Sequence, residues 1–457
     1  MDINKLLEKI EKLEARILEL ETENSALKNK VSSLESKLAR YENLDSSNSS
    51  KPPSKDYKKK NIPRIKGFRN SGGQTGHKGS TLQKLEHADE VIHCNPDQCS
   101  NCGTELETVS GTVVDTKQEI DVPEIKPKVT EYRRVKKICP ICNQTNCGKY
   151  PKHLKSSIQF GALIKSFIIY LNICHKMPYD RLTQIIKDML NLKISEGTIE
   201  NTLEKALKQA DINKEEILKR IKKSSWAQSD ETEIRVDGEN WQLWTWCNQY
   251  FSMYVADKSR SYQVIKENFG ENYQGILVHD CYAAQNKTPA KAHQHCLAHY
   301  QRDLKYSAEI EKCTWSASMS GFLTRAVKMR DKIWQEDFDH DLRLEVIRQF
   351  KLSLIKRLQS PPMIQNQFAY RLYKRFLKHS SSVLLFMNYP DLPSTNNGSE
   401  RAIRNAKIHK KISGCFRNPE AAKRHATILS TIETAKKHGI SILYACKSLI
   451  LQQKLAF

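Results

Sequence analysis

Residues 225–280 read SWAQSDETEIRVDGENWQLWTWCNQYFSMYVADKSRSYQVIKENFGENYQGILVHD and carry the strongest fold signal in the chain. Residues 225–236 predict a strand, Asp237-Gly238 is a hairpin turn signal, and WQLWTWCN and YFSMYVAD predict two further strands. Residues 261–269 predict a helix, and YQGILVHD predicts a buried strand ending at Asp280. The stretch therefore predicts a mixed α/β unit.

The predicted order of three strands, a helix and a fourth strand is that of an RNase H-like α/β core. The first and fourth strands are neighbours in such a sheet, so Asp230 and Asp280 are expected to converge. A third acid must come from a later helix, and Glu400 in NNGSERAIR is the best candidate. Glu231 and Asp257 are competing acids.

Carboxylate oxygens are the ligands that hard divalent cations such as Mg²⁺ or Mn²⁺ prefer. Two such ions held by Asp230, Asp280 and Glu400 would suit exchange of a phosphodiester. The simpler interpretation is a partly exposed strand carboxylate for Asp230 and a helix-surface pair with Arg404 for Glu400.

Composition favours a polyanionic partner. The chain has 457 residues, which allows about three domains, and its formal charge is +22. No apolar run approaches the ~18 residues of a membrane span, and the charged N-terminus does not resemble a secretory signal. We therefore expect a cytoplasmic protein. Thirteen cysteines, with two Cys-x-x-Cys pairs, favour a metal site over disulfides.

Residues 1–44 predict a coiled coil that forms a homodimer or a higher oligomer. Apolar residues recur in steps of four and three from Leu6 to Tyr41, and the seam contains one polar residue, Asn24. Mostly β-branched a positions with Leu at d favour two parallel strands, and the buried Asn fixes the register. The alternative is a helix packed on its own domain.

Residues 45–80 predict a flexible basic linker, since residues 51–80 hold nine Lys or Arg against one acid, Asp56. The segment is either a non-specific phosphate contact or a solvated spacer. Its candidate DNA-binding residues are Lys58, Lys59, Lys60 and Arg64.

Residues 81–152 predict a zinc ribbon. Cys99-x-x-Cys102 and Cys139-x-x-Cys142 are two knuckles whose four sulfurs would complete a tetrahedral structural Zn²⁺ site, and the residues between them alternate like strands. Cys94 and Cys147 are possible substitutes, and two reduced hairpins without metal are the alternative.

Residues 153–222 predict a helical DNA-binding region with a possible helix-turn-helix. A first helix runs from Pro178 to Leu190, a turn contains Asn191, and Ser195 caps a second short helix. Because helical hairpins are common, this signal is weak on its own.

Several motifs together resemble the insertion sequence 66 family of DDE-type transposases. These motifs are NSSKPPSKD (48–56), GGQTGHKGSTL (72–82), the two Cys-x-x-Cys pairs, QSDET (228–232), VHDCYAA (278–284), HCLAHYQRDL (295–304), NNGSERAIRNAKIHKKISG (396–414) and TIETAKKHGI (431–440). The resemblance implies a metal-dependent recombinase that cleaves transposon ends and joins them to target DNA, with Asp230, Asp280 and Glu400 as the catalytic, metal-binding triad.

The resemblance also implies a catalytic domain at 223–412, a helical insertion at about 303–390 and a C-terminal helical region at 413–457. Cys296-x-x-His299 resembles a signature of several such transposases and would either support the active site or form a buried strand-to-helix pair. The implied partners are double-stranded DNA and possible accessory proteins of the same element, in a bacterial nucleoid. Arg401, Arg404, Lys410 and Lys411 would hold DNA phosphates, unless they form a solvated helix face.

Two other functions fit the same sequence. One is a dimeric zinc-containing DNA-binding protein with a degenerate nuclease fold, and the other is a hydrolytic nuclease that does not join strands. No Walker A loop is present, so the chemistry is not expected to consume a nucleoside triphosphate.

Overall fold

The structure is a computed structural model that describes residues 3–43, 82–122, 125–335, 337–363 and 367–457. It divides into two units, one formed by Met1–Tyr57 with Arg134–Phe457 and the other by Lys58–Arg133. The predicted linker at 45–80, with Lys58, Lys59, Lys60 and Arg64, lies outside the described residues. Among those described, no helix combines the length and apolar character that a bilayer crossing requires.

The helices are α1 (Ile3–Asn43), α2 (Ala162–Ile169), α3 (Tyr179–Leu190), α4 (Glu196–Lys222), α5 (Tyr262–Asn268), α6 (Ala283–Asn286), α7 (Leu297–Ile310), α8 (Thr314–Ile333), α9 (His340–Leu358), α10 (Gln367–Lys378), α11 (Asn397–Ile412), α12 (Pro419–Lys437) and α13 (Ile442–Leu451). The strands are β1 (Lys136–Ile138), β2 (Thr145–Cys147), β3 (Trp226–Val236), β4 (Glu239–Cys247), β5 (Ser252–Asp257), β6 (Tyr273–His279) and β7 (Ala290–His295). A π-helical turn, Tyr170–Cys174, extends α2, and two 3₁₀ turns, Ser380–Ser382 and Leu385–Asn388, follow α10.

A five-stranded mixed sheet organises the larger unit, in the order β5-β4-β3-β6-β7. β3, β4 and β5 are antiparallel, whereas β6 is parallel to β3 and β7 is parallel to β6. Asp237 and Gly238 both have positive φ, at 47° and 73°, as a tight β3–β4 hairpin turn requires. The four predicted strands and the helix after the third are therefore confirmed, and β3 and β6 are neighbours as expected.

The sequence pattern missed the fifth strand, β7. The sequence of β7, AKAHQH, lacks an apolar alternation because its buried positions are Gln294 and His295. Gln294 accepts from the Phe386 amide at 2.8 Å, and His295 Nε2 lies 2.8 Å from Asn286 Oδ1. Side-chain hydrogen bonds thus replace apolar packing in this strand.

Helices cover both faces of the sheet. In β4, Leu243 joins a core with α2, α3, α12, α13 and the first half of α4, whereas Trp244 joins a core with α5 and the end of α4. Adjacent residues of a strand point to opposite faces, so these cores lie on opposite sides. A third core joins β6 to helices α7 to α10, the region of the predicted helical insertion. Trp244 and Trp246 are fully buried, as expected of sheet residues.

The two helices predicted on either side of the turn at Asn191 form as α3 and α4, with one difference. Pro178 precedes α3, Asn191 ends it in the left-handed conformation at φ 49°, and the Ser195 hydroxyl accepts from the Thr198 amide at 3.2 Å. The second helix is 27 residues long and not short. One face of it is buried against α12 and α13, which explains the extra length: the apolar pattern continues for as long as the helix packs on the core.

The helix predicted for the first 44 residues forms as α1. Its described seam residues, among them Leu13, Leu20 and Leu27, are roughly half exposed. The described part of the apolar stripe is therefore not buried within this chain.

The strand pattern predicted between the cysteine pairs is wrong for most of its length. Among described residues between the pairs, only Lys136–Ile138 forms a strand, which pairs with Thr145–Cys147, and an isolated bridge joins Gln98 to Glu105. Residues 107–122 are exposed throughout. Their alternating apolar side chains therefore pack on no core, and their backbone groups pair with no neighbouring strand among the described residues.

Candidate active site

Asp230 and Asp280 lie next to each other at the same end of the paired strands β3 and β6. The parallel register pairs Gln228 with Val278, and Asp230 and Asp280 each lie two residues further along. The Asp230 Oδ1 atom accepts from the Glu231 amide at 2.9 Å, and Asp280 Oδ1 accepts from the Tyr282 amide at 2.9 Å. Both carboxylates are thereby held by local backbone donors.

The pKa of Asp230 shows that Asp280 and Glu400 act on it. This pKa rises from 3.8 to about 8, mainly because of burial and also because of the negative charges of Glu231, Asp280 and Glu400. The structure thus brings the three predicted acids into one electrostatic cluster, although Glu400 is far away in sequence.

Helix α11 carries Glu400 in its first turn and is fixed to β3 just before it begins. The Gln228 side-chain amide donates to the Thr395 carbonyl at 2.8 Å, and the Asn396 side-chain amide donates to the Ser229 carbonyl at 2.8 Å. A Cβ atom on Gly398 would lie 1.8 Å from Gln228 Oε1, so this close approach requires glycine. The segment NNGSE therefore docks the helix onto the strand that carries Asp230.

The Cys296-x-x-His299 pair lies beside Glu400. Cys296 precedes α7, is fully buried, and its Sγ atom accepts from the Asn396 amide at 3.1 Å. His299 Nδ1 and Arg302 Nη2 lie 3.8 Å and 3.4 Å from Glu400 Oε1. Cys296 is buried at the strand-to-helix junction, as one interpretation held, whereas His299 is partly exposed and lies beside the candidate acid.

The competing acids have different surroundings. Glu231 is buried, and its carboxylate accepts from Arg260 at 2.6 and 2.9 Å and from Gln285 at 3.2 Å. Burial raises its pKa, against the lowering effect of Arg260. Asp257 on β5 is opposite Gln242 on β4, which is opposite Glu233 on β3. Asp257 is therefore two strands away from Asp230, about 10 Å, and is also displaced by three residues along the strands, about 10 Å. Asp257 is therefore remote from the cluster.

Sequence reasoning missed Arg260, Gln285 and Arg302, which contact Glu231 or Glu400. Arg260 and Gln285 lie in a loop and a one-turn helix, where periodicity carries no information. Arg302 had a usable signal, because it follows His299 by three residues on α7 and such residues share a helix face.

Helix α11 presents exposed cations beyond Glu400. Arg401, Arg404, Lys410 and Lys411 are all exposed, and Lys410 pairs with Glu233 at 2.7 Å. These exposed cations are therefore available to a polyanion, with Lys410 the member of the set that forms an ion pair among the described residues.

The cysteine pairs form two similar turns, one in each unit. The Cys99 carbonyl accepts from the Gly103 amide at 2.9 Å, and the Cys139 carbonyl accepts from the Asn143 amide at 3.0 Å. A hydrogen bond from Thr104 lowers the pKa of Cys102, and the Cys142 amide lowers that of Cys139. Each turn alone suits a pair of thiolate ligands. Cys94 and Cys147, the possible substitute ligands, are both exposed.

Comparison with protein families gives three matches. The model described as "Transposase IS66 family" matches residues 157–424, more than half of the chain. The chain belongs to the IS66 transposase family. The zinc-finger binding domain of transposase IS66 matches residues 96–143, and a family of unknown function, DUF6444, matches residues 2–83. A search of curated proteins gives no match.

The family matches confirm the predicted resemblance. The IS66 transposase match spans Asp230, Asp280 and Glu400, and the IS66 zinc-finger match spans all four knuckle cysteines. Together they support a transposase with a DNA-binding function and a structural zinc ion.

Proposed function

We propose that the chain cleaves DNA at the ends of a transposon and joins those ends to target DNA. The core is RNase H-like, and Asp230, Asp280 and Glu400 hold two Mg²⁺ or Mn²⁺ ions. The sheet order β5-β4-β3-β6-β7 supports this fold assignment, because its first and fourth strands in sequence are adjacent and parallel.

The placement of Asp230 and Asp280 at the same end of two adjacent parallel strands carries the proposal, and the raised pKa of Asp230 supports it. A carboxyl whose pKa is raised to about 8 by burial and by Glu231, Asp280 and Glu400 lies where its ionised form lacks a compensating positive charge. A divalent cation compensates such a site, and oxygen-only donors match Mg²⁺ or Mn²⁺. The residues present therefore fit the expected metals.

Each part of the site has a role in this chemistry. When bound, the two cations would activate the attacking oxygen and stabilise the leaving oxygen of the phosphodiester. Arg260 and Gln285 donate hydrogen bonds to the Glu231 carboxylate. These bonds fix the part of β3 that carries Asp230. The exposed cations of α11 would hold DNA phosphates near Glu400 and give the complex its salt dependence.

The remaining regions serve assembly and end binding in this proposal. The four cysteines Cys99, Cys102, Cys139 and Cys142 share one Zn²⁺ ion, and α3 with α4 contributes to DNA contacts. Helix α1 pairs subunits along its exposed seam, which supports a homodimer or a higher oligomer. Accessory proteins of the same element and a nucleoid location remain part of this proposal.

Asp280→Asn tests the assignment in the full chain. The substrate is a duplex carrying the inverted repeats that flank this gene. We expect Mg²⁺-dependent cleavage and joining to fall by a factor of about 10³ or more, while DNA binding persists, because the variant removes a ligand and no surface cation. Asp257→Asn is the control, since Asp257 is remote from the cluster.

Three outcomes of this experiment contradict the proposal in different ways. Unchanged cleavage in Asp280→Asn rejects the site. Cleavage without joined products in the unaltered chain indicates a hydrolytic nuclease. DNA binding without any Mg²⁺-dependent cleavage indicates a DNA-binding protein with a degenerate nuclease fold.

A further inference from the structure

One group of side chains has a donor set unlike that of the three acids. Single ligand atoms of Cys296, His299 and Glu400 all lie within 4.8 Å of one another, at the junction of α7 and α11. We propose that this group binds a softer divalent cation, for which Zn²⁺ is the probe, at a site distinct from the knuckle cysteines. Its consequence for catalysis, though not the binding itself, rests on the proposed function.

The geometry supports a cation between the two helices. Cys296 and His299 lie at the start of α7, and Glu400 lies in the first turn of α11. His299 Nδ1 is buried, has no hydrogen-bond partner among the described residues, and lies 3.8 Å from Glu400 Oε1. A buried ring nitrogen without a partner beside a thiol and a carboxylate is available as a ligand.

The donor chemistry decides which cation fits. A thiolate, an imidazole and a carboxylate form a ligand set typical of Zn²⁺, whereas Mg²⁺ prefers oxygen. Three protein ligands leave one tetrahedral position for water or a substrate oxygen. The Asn396 amide donates to Cys296 Sγ at 3.1 Å, which orients this sulfur and partly offsets the rise in its pKa that burial causes.

Arg302 competes with such a cation. Its Nη2 atom lies 3.4 Å from the same Glu400 oxygen, so a cation that binds Oε1 replaces this contact.

The two metal sites share one ligand. Glu400 acts electrostatically on Asp230 and also belongs to the Cys296 group. A Zn²⁺ ion held by Cys296, His299 and Glu400 draws this carboxylate away from Asp230 and Asp280. Zn²⁺ should therefore inhibit Mg²⁺-dependent chemistry through these residues.

Zinc binding by the full-length protein tests the site itself. We expect equilibrium dialysis against Zn²⁺ to load one more ion per chain in the unaltered protein than in His299→Gln, Cys296→Ser or Glu400→Gln. Cys313→Ser is the matched control, because Cys313 is buried at the start of α8 and is not in the group. Circular dichroism checks that each variant is folded, and three separate ligand variants keep the comparison available if one is not. Equal stoichiometry in the folded ligand variants and the unaltered protein overturns the proposal.

Zinc inhibition of cleavage tests the consequence. With each rate normalised to its own zinc-free value, we expect His299→Gln to need about tenfold more Zn²⁺ than the unaltered chain for half-inhibition. Equal inhibition of both contradicts the shared-ligand mechanism. If the unaltered chain shows no Mg²⁺-dependent cleavage, the proposed function fails, whereas the dialysis result still decides whether the zinc site exists.

Discussion

The protonation of Asp230 links the candidate site to the stability of the fold. An acid whose pKa is raised in the folded chain favours folding at low pH, and this contribution is lost as pH rises. For Asp230 the loss runs from about pH 4 to about pH 8. At neutral pH and without divalent cations, the cluster therefore destabilises the chain.

Replacing Asp230 with asparagine should relieve this destabilisation. Without divalent cations at pH 7.5, we expect Asp230→Asn to raise the melting temperature by roughly 2–4 °C or more, since the variant folds without having to take up a proton at this position. Added Mg²⁺ should stabilise the unaltered chain and leave the variant unchanged. Differential scanning calorimetry measures both effects, with Asp257→Asn as control. A lower melting temperature for Asp230→Asn without Mg²⁺ would contradict the electrostatic account.

A cluster of histidines lies on β6 and β7, next to Asp280 in sequence or on the neighbouring strand. His279 Nε2 lies 2.8 Å from His293 Nδ1, and His295 Nδ1 lies 3.1 Å from the Tyr300 hydroxyl. Burial, with the charge of His379, lowers the pKa of His295 from 6.5 to about 3. These histidines are neutral in the folded chain, and the unfolded chain takes up protons below pH 6.5.

Acid should therefore destabilise the chain through His295. Stability should fall as pH drops from about 6.5 towards 3, by up to about 1.4 kcal/mol per pH unit for this residue. His295→Asn should flatten the pH dependence of the melting temperature in this window. His340→Asn, at an exposed position on α9, is the control. Parallel pH profiles of His295→Asn and the unaltered chain would show that this histidine is not responsible.

At the level of elements, the docking of α11 on β3 sets the position of Glu400. The contact depends on Gly398, because the Gln228 side chain that a Cβ would meet is buried and hydrogen-bonded to Thr395. Movement of either element changes the distance from Glu400 to Asp230.

Gly398→Ala tests this packing. We expect a loss of about 1–3 kcal/mol in the free energy of unfolding from overpacking, and a larger loss in DNA cleavage because Glu400 moves. Adding Gln228→Ala should restore part of both by making room for the methyl group. Gly321→Ala in α8 is the control, since its added Cβ would meet its nearest atom at an ordinary 3.5 Å. Full activity of Gly398→Ala would show that the docking of α11 on β3 does not depend on this glycine.

The elements that bear apolar patterns were predictable, and polar contacts between elements were not. β3 to β6 follow from apolar alternation and a turn signal, and their order places Asp230 next to Asp280. β7 escaped because its buried residues are polar. The contacts of Glu400 with His299 and Arg302 join distant segments, so they depend on tertiary packing that no local pattern encodes.

For the whole molecule, the exposed apolar seam of α1 is the feature that a single chain does not explain. Exposed leucines at regular spacing on a helix are covered when two such helices pair. A paired α1 would bring two catalytic units together, as the joining of two transposon ends requires.

Two leucines of α1 allow a matched test of this assembly. Leu20 lies on the seam, whereas Leu18 lies off it, and both are exposed in one chain. We expect Leu20→Asp to convert the full-length protein from dimer to monomer in light scattering, because the charge would be buried in the seam, while Leu18→Asp leaves the dimer intact. A monomeric unaltered chain, or equal behaviour of the two variants, would contradict the coiled coil.

Backbone cleavage by a bound metal ion tests directly whether Asp230, Asp280 and Glu400 converge on the same cations. Fe²⁺ substituted for Mg²⁺ in the full-length protein, with ascorbate and peroxide, cuts the backbone close to wherever the ion is bound. The account predicts cuts near residues 230, 280 and 400 together, and the joint loss of the cuts near 230 and 280 in Asp280→Asn. Cuts at only one of these positions, or cuts near 230 that persist in Asp280→Asn, would contradict it.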